Sequence, residues 1–160
     1  MSLAEWLRSF RALHDRARSG SLAPGEVAGY RAGRDELARA MLAAQQVMMK
    51  AGELPRRQLR ASRALQVDLD FGKEKARAVT LDVSAGGFGA LLARPPVPGD
   101  PVRIALRLPE QEPISCVARV VDVKVLPGNA RASFAFTGLS PDDVERLEIF
   151  VFDCVLDQLP

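Results

Sequence analysis

Leu3, Trp6, Leu7, Phe10, Leu13 and Ala17 recur at steps of three and four, so a helix here gathers them on one face and leaves Arg8, Arg11, Asp15 and Arg18 mostly outside it. Ser2 with Glu5 three residues on has the spacing of a capping box, in which each side chain satisfies a free amide at the helix start. Gly20 marks the end. Ser21, Pro24 and Glu26 signal a second start, and Val27, Tyr30, Leu37, Met41, Ala44 and Met48 form a second stripe reaching about Lys50. Two helices joined by a short turn cover only part of each other's apolar face. The remainder, around Met41, Met48 and Met49, either fills the core against the first helix or receives a protein partner or a second copy of the chain as a homodimer.

After Ala51 the period drops to two: Leu65, Val67 and Leu69 alternate with Gln66, Asp68 and Asp70 before a polar turn at Gly72 and Lys73. Segments 76–83, 88–93, 101–108, 114–125 and 130–136 also read as strands, separated by Gly, Pro or Asn. The short turns PPVPGD, PEQEP and PGN favour antiparallel neighbours, and closing six such strands into a barrel removes exposed edges. Ser140, Pro141 and Asp143 then open a last helix. Its Val144, Leu147, Ile149, Phe150, Val151, Cys154 and Val155 are too apolar for water, so it should pack on the barrel. The expected fold is mainly β with α extensions: a six-stranded antiparallel β-barrel with a C-terminal helix over 54–160, preceded by a helical hairpin over 1–53.

Composition narrows the function. At 160 residues and 48% apolar, the chain can build one good core plus an appendage. The apolar stretch 149–156 is too short and too interrupted by acid to cross a bilayer, and MSLAEWLRSF lacks a signal layout, so a cytoplasmic protein without membrane insertion is expected. Cys116 and Cys154 have no CxxC spacing and His14 is the single His, which argues against a metal or a resident cofactor and for reduced, buried thiols. No nucleophile has an obvious base partner and no paired carboxylates stand in an apolar setting. No catalytic residue is therefore assigned, and an enzyme is not expected.

Net charge is only +2, but residues 1–63 hold twelve Lys and Arg against six acids, and 64–160 hold ten against fourteen. The surplus peaks in PRRQLRASR (55–63), where Arg56, Arg57, Arg60 and Arg63 stand without an acid. A solvated linker is the plain explanation. The second unusual stretch is DVSAGG (82–87), an acid, a hydroxyl and two glycines interrupting an apolar strand. That pattern suits a bulge or turn with Asp82 and Ser84 bonding local backbone, or a place where a ligand approaches closely.

Taken together, the two stretches resemble the motifs of the PilZ domain family, small six-stranded barrels known as receptors for the bacterial second messenger cyclic di-GMP. RxxxR is met by Arg56 and Arg60, with Arg57 as an extra basic residue, and (D/N)xSxxG is met by Asp82, Ser84 and Gly87. The resemblance covers roughly 54–158 and says nothing of residues 1–50. It implies a ligand site formed by Arg56, Arg57, Arg60, Asp82, Ser84, Gly86 and Gly87. Guanidinium groups can fork onto phosphate, bond the guanine edge or stack on the base; Asp82 can accept guanine N–H groups or hold an Arg; bare glycine backbone admits the ligand. Arg63 departs from the family pattern. The resemblance further implies a signalling module that relays the messenger to a protein partner, as yet unidentified, by rearranging the Arg-rich connector and the helices. Some family members are instead nucleotide-independent adaptors. Single-stranded nucleic acid is disfavoured, because only Phe71 and Phe88 lie near the Arg run and the barrel half is acidic.

Overall fold

The computed structural model describes residues 2–47 and 58–159. Among these lie helices α1 (Leu3–Arg18), α2 (Val27–Val47) and α3 (Pro141–Asp157) and strands β1 (Gln66–Asp70), β2 (Lys75–Val83), β3 (Gly87–Leu92), β4 (Pro101–Leu106), β5 (Ile114–Leu126) and β6 (Asn129–Phe136). They fall into two compact units, Met1–Leu59 with Val151–Pro160, and Arg60–Phe150. The division lies inside α3, whereas the sequence-based partition assigns that whole helix to the barrel.

In the first unit the expected capping box starts α1: Glu5 N–H donates to Ser2 Oγ at 3.2 Å and Ser2 N–H to Glu5 Oε2 at 3.1 Å. The second start differs in detail. Ser21 bonds Ser19 (2.7 Å), and Glu26, at the end of a single 3-10 turn, reaches back to the Ala23 amide (3.2 Å) and pairs with Arg16. Phe10 stacks between Trp6 and Tyr30, with ring centroids 5.4 and 5.6 Å away, and meets the edge of Phe152. The expected apolar stripe is only partly used: Leu3 is exposed, while two polar residues, His14 and Arg34, are buried. His14 explains its own burial. Nε2 lies 3.2 Å from the Asp153 carboxylate, which only accepts, so Nε2 carries the proton and Nδ1 accepts from the Tyr30 hydroxyl at 2.9 Å. Arg34 lies over the Tyr30 ring at 5.2 Å. Arg11 donates to the carbonyls of Leu156 (3.1 Å) and Leu159 (2.8 Å), satisfying acceptors that the end of α3 leaves open. Met41 is half-buried; Met48, Met49 and Lys50 lie outside the described residues.

The second unit is a closed antiparallel barrel of strand order β1-β2-β3-β6-β5-β4. Alternation turns Val67, Leu69, Ile104, Leu106, Ala132 and Phe134 inward, and these form one core with Phe88, Ile114 and Val120. Leu147, on the first half of α3, is fully buried in that core, and Phe150 packs against it. The start of α3 follows the expected signals, with Asp143 N–H donating to Ser140 Oγ at 3.1 Å. Two bulges break the ladders, between Thr80 and Asp82 on β2 and between Val120 and Asp122 on β5. The first of these aims the candidate site.

Candidate functional site

Before β1 enters the barrel, the chain from Arg60 to Leu65 is already fixed along β2. Ala61 and Val83 exchange both backbone hydrogen bonds (2.8 and 2.9 Å) as an isolated bridge. Thr80, almost wholly buried, adds a second clamp: its amide donates to Leu65 O (2.8 Å), and its hydroxyl donates to Arg63 O (2.6 Å) and accepts from Leu65 N–H (2.8 Å). The last part of the Arg run is thereby anchored beside the β2 bulge.

The bulge steps the β2–β3 register past Leu81, so that Thr80 faces Ala90 and Asp82 faces Gly89. Asp82 Oδ1 accepts from the Gly89 amide at 2.9 Å and Oδ2 lies 3.4 Å from Arg60 Nη1. Residues 22 positions apart in sequence are thus brought together. Arg60 is 44% exposed and the pair is long, so it contributes at most about 1 kcal/mol and its guanidinium can exchange partners cheaply. Arg56 and Arg57 lie outside the described residues.

Ser84 and Gly87 are differently placed. Ser84 is buried, and its hydroxyl accepts from Gly86 N–H (3.2 Å) and donates to Gly87 O (3.4 Å), while its amide donates to the same carbonyl (2.8 Å). The hydroxyl expected to face a ligand closes the turn between β2 and β3 instead. The bare side of Gly87, expected to admit a ligand, is turned to β6: a Cβ there would stand 1.9 Å from Phe134 O. Gly86 contributes its carbonyl to Phe136 N–H (2.9 Å).

The aromatic residues near the Arg run do not form a stacking platform. Phe88 is buried and stacks on Phe134 at 4.8 Å, and Phe71 packs against the barrel core. A concavity of about 600 Å³ lies on β1, β2 and β4, but Asp68 there is met by Arg77 (3.5 Å) and Arg107 (3.4 Å), and among the described residues none of the sequence-predicted site residues lines it. Among the described residues no group of three His, Cys, Asp or Glu could hold a metal, and no helix is long and apolar enough to cross a membrane. Burial, with Asp143 nearby, pushes the Cys116 thiol up to about 11, so it is protonated and unreactive at neutral pH.

Thr80 and Gly89 were missed by sequence reasoning. A Thr in a strand is ordinary and gives no signal, but Gly89, two residues after Gly87 in a β-run, is a second break of the kind that marks close approach.

A barrel of this order, an Arg-bearing lead-in clamped to β2 and a D-x-S-x-x-G bend define a small ligand-receptor or adaptor module. The chain belongs to the PilZ domain family, whose model matches residues 55–153. Solved structures share the fold: the Bacillus subtilis inhibitor of motility MotI/DgrA (TM-score 0.61, 22% identity, 68% of this chain and 55% of that one) and the PilZ domain of Escherichia coli YcgR with c-di-GMP (0.56, 21%, 65% and 94%). A third is the K. pneumonia MrkH–c-di-GMP complex (0.57, 22%, 66% and 54%). This chain spans about half the length of MotI/DgrA and of MrkH. No curated protein sequence matches it.

Proposed function

We propose that this chain is a receptor for cyclic di-GMP, with Arg56, Arg57, Arg60 and Asp82 as the ligand-binding side chains and the 86–87 backbone as the neighbouring surface. The observation that carries the reading is the meeting of Arg60 with Asp82 at 3.4 Å on the outer edge of the β2 bulge. A guanidinium held by one weak ion pair can turn to a phosphate or guanine edge, while Asp82 stays fixed through its other oxygen. YcgR and MrkH, which share the fold, are both described in complex with this nucleotide. In this reading the ligand draws the segment ahead of Arg60 onto the barrel, and that change is what a protein partner senses. Site and relay together are those of a cytoplasmic binding module, with no catalytic step.

Isothermal titration with cyclic di-GMP is the test. Saturable binding that weakens at least tenfold in Arg60→Ala is expected, since a charge-assisted hydrogen bond contributes about 1.5–3 kcal/mol and 1.4 kcal/mol is a factor of ten. No heat at high micromolar nucleotide overturns the receptor reading and leaves an adaptor that works by protein contact.

A further inference from the structure

The Asp82 carboxylate is the hub of the proposed site, and its direction is set by a residue outside both motifs. Gly89 sits directly opposite Asp82 across the bulged β2–β3 ladder. Its amide donates to Oδ1 at 2.9 Å, leaving Oδ2 as the oxygen that meets Arg60. Its missing side chain matters as much. A Cβ on Gly89 would lie 2.9 Å from Asp82 Oδ1 and 3.7 Å from Cγ, and the next neighbour, Ala132 O, is at an ordinary 3.9 Å. The backbone of Gly89 is not left-handed, so an alanine fits the strand in every respect except its contact with Asp82. This distinguishes Gly89 from Gly87, whose bare side faces unyielding backbone.

We propose that Gly89 is a positioning residue for the ligand site: bare and hydrogen-bonding, it holds the Asp82 carboxylate flat against β3 and so fixes where Arg60 waits. The inference rests on the receptor reading. A methyl group at 89 must swing the carboxylate outward, breaking the 2.9 Å bond and carrying Oδ2 away from its place beside Arg60. The cost falls on the ligand rather than on the barrel, because the obstructing atom is the end of a side chain.

The experiment is a double-mutant cycle on the full chain, with Gly89→Ala, Asp82→Ala and the pair, titrated with cyclic di-GMP and melted without it. Gly89→Ala is expected to weaken binding about tenfold, the loss that follows one misdirected charge-assisted hydrogen bond. In the Asp82→Ala background the same substitution is expected to change nothing, because its only obstacle is gone. Wild-type affinity in Gly89→Ala, or losses that simply add, overturns the proposal while the receptor reading stands. A Gly89→Ala barrel that melts early and is not restored by Asp82→Ala also overturns it, since the clash then lies elsewhere. A wild-type chain that binds no cyclic di-GMP sinks the receptor reading, and this inference with it.

Discussion

Replacing Gly87 by alanine should damage the barrel itself. The added Cβ would stand 1.9 Å from Phe134 O, 3.0 Å from Phe134 C and 3.2 Å from Ala135 Cα, all backbone atoms of β6. Ordinary contact begins at 3.4 Å, so β3 and β6 must part by about 1.5 Å at this point. The flanking hydrogen bond that crosses to β6, Phe136 N–H to Gly86 O (2.9 Å), cannot survive that separation. Overpacking costs about 1–3 kcal/mol and a lost backbone bond about 0.5–1.5, which sums near 3 kcal/mol at the middle of each range. For a chain of this length about 2–4 °C accompanies each kcal/mol, so the melting midpoint should fall by roughly 6–12 °C in differential scanning calorimetry. Gly29→Ala, in α2 with nothing within 4 Å, is the control of opposite sign and should be stabilising by up to ~1 kcal/mol. A Gly87→Ala midpoint within about 2 °C of the wild type would refute the close-approach account.

Thr80→Val keeps the shape of the side chain but strands Arg63 O and Leu65 N–H, and a loss of about 2 kcal/mol is expected, together with faster hydrogen exchange at the Leu65 amide. His14 responds to pH. Burial, opposed by the hydrogen bond and charge of Asp153 and by Asp15, holds its pKa below the ordinary 6.5, with Arg18 pushing the same way as burial. The folded chain therefore keeps His14 neutral where the unfolded chain already takes up a proton. Its contribution is complete above about pH 6.5 and is lost as the pH falls toward the lower folded value. Urea titrations between about pH 7 and 5 should show stability dropping with acidification, and the part due to this ring should vanish in His14→Gln.

Most of the architecture was legible because periodicity and punctuation agreed. The alternation of Leu65, Val67 and Leu69, the turn PGN at 127–129 and the Ser140, Pro141, Asp143 start each placed an element within a residue or two of its observed position. The same pattern rules failed where a polar side chain was satisfied from afar. His14 is buried on a helix because its partners, the Asp153 carboxylate and the Tyr30 hydroxyl, come from other helices and meet it only once the helices have packed. The site was legible in part for the same reason. Spacing marked Arg60 and Asp82, and the DVSAGG stretch signalled a bulge or turn, but the register shift on which their pairing depends lies at its leading edge, between Thr80 and Asp82, where the residues are ordinary for a strand.

That bulge also divides the labour within D-x-S-x-x-G. Ser84 spends its hydroxyl inside the turn, and Gly87 is bare because β6 runs against it, so two of the three motif positions are accounted for by the backbone path alone. A chain could keep both for the sake of the bend and bind nothing. Asp82 differs: one oxygen is consumed by Gly89, and the other points to a guanidinium that the barrel does not need. An exposed ion pair of this length contributes too little to stability to explain the pair by folding. In the receptor reading proposed for this chain, the parts of the site that the fold alone does not explain are therefore the outward Asp82 carboxylate and the Arg60 that meets it, whereas Ser84 is explained by the turn and Gly87 by the close run of β6.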